Sequence, residues 1–315
     1  MLVLLFMALY LHSGETQTKE CRGPFHPVGN QCLYFGDLIL EDHENAKAVC
    51  QSLGGHLVRV TQPQQLKDIV DYIDGKDYGD GTSFWVDGTD INQEGQWEYS
   101  NGESVPMGTP FWEVRRSEDT YHQQPDNAYE NENCLEMRKE FQYYFNDVPC
   151  NLTRLIICED ESQQADDKMD INLKKISCPA LFVPVSGLCL AFLTFADQTW
   201  AEARQTCSSL GGGLAKLTLP QHLRDIYIYI NQQGLSEDSF WIGGSDAETE
   251  GVWLFTDGSA VPSGTPFWGV GIVPVQEPDG DTLENCLLLN ADGQYYFRDF
   301  DCNNLNNPLC LINPL

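Results

Sequence analysis

The chain has 315 residues, which at about 100–200 residues per domain predicts two domains. Lys and Arg number 18 against 47 Asp and Glu, so the formal net charge is −29. A surface of this charge cannot form the basic patch that nucleic acids and anionic membranes attract, and we therefore expect neither as a partner. Hydrophobic residues make up 42% of the chain, which argues against disorder, and 12 cysteines indicate an oxidising compartment.

The N-terminus carries an apolar run, Leu2 to Leu11, followed by small and polar residues. This pattern is typical of the core of a secretory signal peptide, although no positive residue precedes the run, and a buried N-terminal segment is the alternative. Ten apolar residues are too few to span a bilayer. We expect residues 1–18 to be a signal peptide and the mature protein to be secreted, without insertion into a membrane.

The cysteine spacing shows an internal repeat. The gaps between successive cysteines are 11, 18, 84, 16 and 8 residues in the first half and 11, 18, 79, 16 and 8 in the second. Four of the five gaps are identical, and a period of about 155 residues indicates tandem domains rather than a solenoid. The segments 108–112 and 142–145 also recur, as 264–268 and 294–297.

These landmarks predict one domain over 20–160 and a second over 177–311. Residues 161–176 are polar, acidic and poor in large apolar side chains, so they cannot bury a core and are predicted to be a linker.

Each repeat has the same predicted elements in chain order. The first two cysteines flank a short segment with Pro and Gly, which predicts a hairpin. Apolar residues at spacings of three and four predict a helix over 43–53. A second helix is predicted after Thr61, as the N-cap, with Pro63 near its start, and Thr218 and Pro220 repeat this signal. Short strands and long loops are expected elsewhere.

Five oxygen-bearing side chains surround two cysteines of the first domain: Gln124, Asp126, Glu132, Asn146 and Asp147. Calcium takes six to eight such oxygen ligands. Pro125, between two of them, fixes the backbone so that both side chains can point to one place. The alternative is that these residues only form turns, but five at these spacings favour a metal site.

The six-cysteine pattern, Trp-Val-Asp-Gly at 85–88, Gln-Pro-Asp at 124–126 and Phe-Asn-Asp at 145–147 resemble long-form C-type lectin domains. The pair of domains most resembles the two-domain lectins of crustaceans and other arthropods. The resemblance covers residues 21–158 and 178–310. It implies an α+β fold in which each domain has two helices, two small antiparallel sheets and three disulfides. The implied pairs are Cys21–Cys32, Cys50–Cys158, Cys134–Cys150, Cys178–Cys189, Cys207–Cys310 and Cys286–Cys302.

The resemblance also implies a function for the five oxygen-bearing residues. In such lectins a bound Ca²⁺ contacts two sugar hydroxyls, and the ligands of the ion hydrogen-bond the same hydroxyls. The order amide–Pro–carboxylate goes with galactose-type sugars in this family. An aromatic platform for the sugar is expected from Tyr129, with Tyr121 as another candidate, although an ordinary packing or surface tyrosine is the more common case for each.

The second domain departs from this pattern. Its corresponding acidic residues are Glu277, Asp279, Glu284 and Asp299, and Arg298 stands in the place of a ligand Asn. Arg carries its own positive charge and cannot coordinate a cation. We expect calcium binding here to be weak or absent, with Arg298 paired to Glu277 or Asp279; a solvated surface arginine is the alternative.

Two further sites follow from the same resemblance. An auxiliary calcium site is implied at Asp90 and Glu94 in the first domain and at Asp246 and Glu250 in the second. Only half of the usual carboxylates of that site are present in each domain, so this expectation is a weaker one. A sequon at Asn151 predicts an N-linked glycan.

The leading functional hypothesis is a secreted, calcium-dependent lectin that binds galactose-type sugars and microbial surface glycans in innate immunity, and that agglutinates cells. A homo-oligomer is among the expected states. The alternative is a calcium-independent protein-binding or matrix protein on the same fold. An enzyme is not expected, because the chain has no Gly-x-Ser-x-Gly, His-Glu-x-x-His or phosphate-loop motif.

Overall fold

The computed structural model describes residues 20–163 and 176–314, apart from residues 77, 80, 118, 119, 129, 273 and 274. The predicted signal peptide, Tyr129 and residues 164–175 of the predicted linker lie outside the described residues. The start of that linker, Glu161–Gln163, is a single turn of 3-10 helix. In the described part of the chain, none of the helices is long and apolar enough to cross a membrane.

The first domain contains two helices and nine strands. The helices are α1 (His43–Ser52) and α2 (Pro63–Asp74). The strands are β1 (His26–Val28), β2 (Gln31–Glu41), β3 (Gly55–Leu57), β4 (Ser83–Thr89), β5 (Val114–Ser117), β6 (Thr120–Gln123), β7 (Cys134–Arg138), β8 (Phe145–Val148) and β9 (Arg154–Asp160).

The second domain repeats this order. Its helices are α3 (Trp200–Ser209) and α4 (Pro220–Gln233). Its strands are β10 (Val183–Val185), β11 (Leu188–Phe192), β12 (Gly213–Leu214), β13 (Phe240–Ser245), β14 (Leu254–Phe255), β15 (Val270–Ile272), β16 (Cys286–Leu289), β17 (Phe297–Phe300) and β18 (Asn307–Ile312).

Most strands of each domain belong to one connected sheet, in the order β1-β2-β9-β4-β7-β8 and β10-β11-β18-β13-β16-β17, whereas β5, β6 and β15 form a separate sheet. The expected α+β fold, with two helices and small antiparallel sheets in each domain, is confirmed. One parallel pair in each domain, β4 with β9 and β13 with β18, joins its antiparallel strands into the connected sheet. The last strand of each domain returns to the centre of the sheet, beside a strand reached by a long crossover, and such a connection permits parallel pairing.

The helices form where the apolar spacing predicts them, but the N-cap of the second helix in each domain differs from the predicted residue. Gln62 is the N-cap of α2, rather than Thr61. The backbone N–H groups of Thr61 and Gln62 donate to Oε1 of Gln65, both at 2.8 Å. In α4 the same position holds His222, whose Nδ1 accepts from the backbone of Thr218 and Leu219. A side chain in the first turn thus accepts from the N–H groups of the N-cap residue and of the residue before it, which is the reverse of the hydrogen bond expected from a threonine cap.

All 12 cysteines are paired, and the six disulfides are the ones that the resemblance implies. Cys134–Cys150 joins β7 to the loop after β8, and Cys286–Cys302 joins the matching elements of the second domain. No disulfide links the two domains. Each domain is therefore closed by its own three disulfides. Apart from the polypeptide chain, the contacts that hold the two domains together in the described residues are noncovalent.

The two domains pack against each other through a pseudo-two-fold interface. The hydroxyl of Tyr144 donates to the backbone oxygen of Trp268 at 2.8 Å, and the hydroxyl of Tyr296 donates to that of Trp112 at 2.7 Å. The two tyrosine rings meet edge to face with centroids 5.0 Å apart. Since each contact recurs with the domains exchanged, the repeated sequence produces a self-complementary interface.

Two further features make this interface continuous. Thr109 donates to the backbone of Gln294, and Thr265 donates to that of Gln142. Strand β15 of the second domain pairs in parallel with β5 of the first, which with β6 gives a three-stranded sheet that spans both domains. One hydrophobic core cluster accordingly contains buried residues of both domains. The sequence analysis did not foresee this interface.

Candidate metal site

Three carboxylates converge in the first domain. One ligand oxygen from each of Asp126, Glu132 and Asp147 lies within 4.8 Å of the other two. Asp147 and the adjacent Asn146 belong to β8, whereas Asp126 follows a cis peptide bond between Gln124 and Pro125. The loop after β6 and the strand β8 therefore deliver the predicted ligands to one place.

Backbone N–H groups hold these carboxylates in position. Asp147 accepts from the backbone nitrogens of Asp126 at 3.1 Å and Asn127 at 2.8 Å. Glu132 accepts from the nitrogen of Ala128 at 2.7 Å, and Gln124 Oε1 accepts from Asp126 at 3.0 Å. The loop is thus folded around the acidic side chains, and its shape depends on them.

The electrostatics of this cluster favour a cation. Burial, together with the nearby charges of Asp147 and Asp126, raises the pKa of Glu132 to about 7. Burial also raises the pKa of Asp147. Both shifts report carboxylates that lack a compensating positive charge close by. Because the donors are hard oxygens from three carboxylates and two amides, the residues present fit a calcium ion.

Glu136 orients one of the predicted ligands and was missed by the sequence analysis. It is fully buried on β7 and accepts from Nδ2 of Asn146 at 3.0 Å. Because its nitrogen is used in this way, the amide of Asn146 keeps its oxygen available to a cation. Glu136 also forms a salt bridge with Arg154. The feature that could have indicated this role of Glu136 is its position opposite Asn146 in the β7–β8 pair.

An aromatic residue beside this cluster is missing from the predictions. Phe141 lines the open cleft of about 380 Å³ that contains the predicted calcium ligands. Tyr129 lies outside the described residues. Tyr121 contacts the second domain, with its ring centre 5.7 Å from the guanidinium carbon of Arg298, and a role for either tyrosine as a sugar platform stays a prediction.

The second domain reproduces the framework of the site. Glu277, Asp279 and Asp299 also bring one oxygen each within 4.8 Å of the others, and the peptide bond from Glu277 to Pro278 is cis. Asp299 accepts from the backbone of Asp279 at 3.3 Å and of Gly280 at 2.8 Å. Glu284 is not part of this three-carboxylate group.

Arg298 adds a positive charge inside this second cluster. Its Nε lies 3.7 Å from Oε1 of Glu277, and the residue is only 8% exposed, so it is not the solvated surface arginine of the alternative interpretation. The contact is not a hydrogen bond, since Nε has no hydrogen-bond partner. Burial and the charges of Asp299 and Asp279 raise the pKa of Glu277 to about 11, so its carboxyl is protonated at neutral pH and the nearby negative charge is that of Asp299. Burial and Arg116 lower the pKa of Arg298 to about 10, which leaves it protonated at neutral pH. This guanidinium competes with a cation for the cluster, and weak or absent calcium binding in the second domain stays a prediction.

The auxiliary pairs have a visible structural role. Asp90 accepts from the backbone of Gly95 at 2.8 Å, and Asp246 accepts from that of Gly251 at 2.9 Å, so each closes a loop after a central strand. Their partners Glu94 and Glu250 are exposed, and neither pair belongs to a three-residue metal group in the described part of the chain. Calcium at these positions stays a prediction, as does a glycan on the exposed Asn151.

Comparison with known proteins identifies the family. The Lectin C-type domain model matches residues 40–160 and 196–312, which is more than half of the chain. The chain therefore belongs to the C-type lectin domain family, whose members are carbohydrate-binding proteins rather than enzymes.

Three relatives illustrate the range of this family. C-type mannose receptor 2 of Rattus norvegicus is 24% identical over 289 residues, which cover 89% of this chain and 18% of the receptor. A perlucin-like protein of Mytilus galloprovincialis is 27% identical over 49% of this chain and 92% of its own length. Lactose-binding lectin l-2 of Anguilla japonica is 30% identical over 43% of this chain and 78% of its own length. The chain thus spans less than a fifth of the mannose receptor that it matches.

Proposed function

We propose that this chain is a calcium-dependent carbohydrate-binding protein and that its first domain recognises galactose-type sugars. The observation that carries the proposal is the convergence of Asp126, Glu132 and Asp147 within 4.8 Å, where the loop that follows a cis proline bond meets strand β8. These carboxylates, with Gln124 and Asn146, would hold the ion. The bound ion supplies coordination positions for two neighbouring sugar hydroxyls.

The order of the two residues around Pro125 supports galactose. Gln124 offers an amide and Asp126 a carboxylate, which is the order that goes with galactose-type sugars in the resembling lectins. Amides donate and accept hydrogen bonds whereas carboxylates only accept, so the order determines which pair of hydroxyl geometries is satisfied. A relative named as lactose-binding is consistent with this assignment, because lactose carries a galactose unit.

The test compares calcium and galactose binding by the full chain and by Asp147→Asn. Asn keeps the shape of the side chain but removes a charged ligand, so calcium affinity should fall at least about tenfold. The matched control is Asp299→Asn, the corresponding change in the second domain, which should leave retention on galactose resin unchanged. Calorimetry with Ca²⁺ and elution by EDTA are the measurements.

The outcomes separate the two parts of this proposal. Galactose binding that survives EDTA, or an Asp147→Asn protein that is retained on galactose resin as strongly as the wild type, refutes calcium-dependent recognition by the first domain. Calcium-dependent retention on mannose resin but not on galactose resin refutes only the sugar class.

The second domain is proposed to act without calcium, and this is where the alternative of a protein-binding or matrix role applies. The specific observation is Arg298, buried at 3.7 Å from Glu277 inside the acidic cluster. Replacing Arg298 with Asn, in a chain that already carries Asp147→Asn, should add a calcium site. Full-length protein is required, because the domains share a core. If Asp147→Asn alone retains a site as tight as that of the wild type, the second domain binds calcium and this proposal fails.

The wider role follows from the same resemblance and rests on the sugar site. Secretion, recognition of microbial glycans and a function in innate immunity are proposed by likeness to two-domain arthropod lectins. Agglutination requires at least two sugar sites per particle. If only the first domain binds sugar, a single chain has one site, so agglutination would require a homo-oligomer. Size measurement beside an agglutination assay tests this link: agglutination by a monomer refutes it.

A further inference from the structure

Three arginines line the cleft that contains the candidate calcium ligands of the first domain. Arg115, Arg138 and Arg154 lie on its wall, and their side chains are 23%, 34% and 20% exposed. Lys and Arg number only 18 in a chain with 47 acidic residues. Three guanidinium groups on one cleft are therefore a local exception to the acidic character of the protein.

Two of these arginines are fixed by buried carboxylates. Arg115 donates to Glu113 at 3.0 Å, and Arg154 forms a salt bridge with Glu136; both glutamates are fully buried. These carboxylates hold each guanidinium in place. Because a guanidinium has five N–H donors and such a pair uses only one or two, further donors remain at the partly exposed edge of each group.

Arg138 is held differently. It pairs with Glu140, whose side chain is 39% exposed, and its guanidinium carbon lies 5.0 Å from the ring centre of Phe141. Arg115 lies 4.9 Å from the same ring. Phe141 thus aligns two arginines along the cleft, and Arg138 can exchange a surface carboxylate for a ligand at small cost because exposed ion pairs are weak.

The second domain shows that the fold itself does not need these residues. The register of the two domains is the same, since Trp85 pairs with Glu136 as Trp241 pairs with Leu288. The positions that correspond to Arg115, Arg138, Phe141 and Arg154 are Gly271, Asn290, Gly293 and Asn306. The three arginines and the aromatic ring therefore accompany the complete ligand set of the first domain, and among the described residues they have no counterparts beside the altered carboxylate cluster of the second.

We propose that the first domain selects an acidic galactose-type glycan, whose hydroxyls bind at the calcium ligands and whose sulfate or carboxylate group binds at the arginines. This inference rests on the proposed function. An anionic glycan is repelled by a chain of net charge −29, so its recognition requires donors placed at the site itself. Planar guanidinium groups match the oxygens of sulfate and carboxylate in two-point hydrogen bonds.

The expected gain in affinity for an acidic sugar over galactose is moderate. Buried glutamates already pair with two of the arginines, so the selection comes from directed N–H donors. We expect an acidic group to strengthen binding about five- to tenfold, where tenfold corresponds to about 1.4 kcal/mol. The preference should shrink when salt is raised from about 0.05 M to 0.5 M, because part of each guanidinium is open to solvent.

The experiment measures the affinity of the calcium-loaded full chain for galactose, galactose 6-sulfate and galacturonate. The variant is Arg138→Gln, chosen because its partner Glu140 is at the surface and no buried charge is left unpaired. The matched control is Arg204→Gln, which removes an exposed arginine of the second domain. Arg138→Gln should reduce the preference for the acidic sugar to less than twofold and leave galactose affinity within twofold, whereas Arg204→Gln should change neither.

The outcomes separate the selection of an acidic glycan from the proposed calcium-dependent binding of galactose. A gain with the sulfate alone, or with the carboxylate alone, supports the inference and identifies the acidic group. Galactose binding that EDTA abolishes, with no gain for either acidic sugar, overturns this inference and leaves the proposed function intact. A preference that persists in Arg138→Gln also overturns it. Failure to bind any of the three sugars overturns the proposed function as well.

Discussion

The paired tyrosines at the domain interface allow a direct test of how the two halves of the molecule are held together. Tyr144 is fully buried, and its hydroxyl donates to the backbone oxygen of Trp268 in the other domain. Replacing Tyr144 with Phe keeps the ring and its edge-to-face contact with Tyr296 but removes the hydrogen bond. The oxygen of Trp268 then keeps only its second hydrogen bond, from Nε2 of Gln276 at 3.2 Å.

The magnitude follows from the loss of one buried hydrogen bond. Because the oxygen of Trp268 still accepts from Gln276, the loss is that of an ordinary hydrogen bond, about 0.5–1.5 kcal/mol. When the domains separate, water satisfies that oxygen, so the cost appears in the association of the domains. An energy of about 0.5–1.5 kcal/mol corresponds to a dissociation constant that is about 2- to 13-fold weaker.

The assay makes this association measurable. A protease site placed within 164–175 allows the chain to be cut between the domains, which retain their own disulfides. We expect the two halves to stay together after cleavage and to dissociate on dilution, followed by gel filtration or by tryptophan fluorescence. The control is Tyr99→Phe, which removes an equally buried hydroxyl whose partner, the backbone oxygen of Val60, lies in the same domain.

The two variants should differ in their effect on the affinity between the halves. Tyr99→Phe should lower the stability of the first domain and leave the affinity between the halves unchanged, whereas Tyr144→Phe should weaken that affinity. Halves that separate freely at micromolar concentration, or a Tyr144→Phe protein whose dissociation constant is within twofold of the wild type, would refute the interface as described.

Two further predictions concern the site and the interface. The pKa of Glu132, raised to about 7 by burial and neighbouring carboxylates, means that calcium displaces a proton, so calorimetry should show affinity rising from about pH 6 to pH 8. Without calcium, a folded pKa above its unfolded value favours folding at low pH, so the midpoint of thermal unfolding in EDTA should fall as the pH rises through about 7. Gly108 has φ +74°, and a Cβ there would lie 2.3 Å from the hydroxyl of Tyr227 on the other domain. The control is Gly95→Ala, because Gly95 has φ +75° but open space around it. Gly108→Ala should therefore lower the midpoint of thermal unfolding more than Gly95→Ala does. Equal decreases would contradict the contact with Tyr227.

Much of the fold could be predicted because it depends on local spacing. The repeated cysteine gaps indicated two domains, and the disulfides join the pairs that the family resemblance implied. The interface was missed for a physical reason. Tyr144 and Tyr296 lie in repeated aromatic segments that are equally typical of a domain core, and a sequence does not show which buried face belongs to its own domain. The recurrence of Thr109 as Thr265 was the available signal, because a two-fold interface uses the same surface twice.

The candidate site was predictable to the extent that its residues are close in sequence. Asp126 and Glu132 share one loop, and a disulfide of known spacing brings Asp147 to them. The long-range partners were not predictable. Glu136 reaches the site only because β7 and β8 pair in a particular register, and Tyr121 reaches the second domain only because β5 and β15 join across the interface.

The two sites show how a repeated framework can take on different chemistry. Both domains keep three converging carboxylates beside a cis proline bond, and such a cluster needs positive charge to be stable. In the second domain Arg298 supplies that charge from β17, and Tyr121 of the first domain packs over its guanidinium. In the first domain the arginines of the cleft wall pair with Glu113, Glu136 and Glu140 instead, so we propose that an ion supplies the charge. The interface thus helps to bury the guanidinium of Arg298 in the second domain, whereas the cleft of the first domain stays open to a ligand. We therefore infer that a sugar site of the first domain requires calcium, and that the second domain keeps its shape without it.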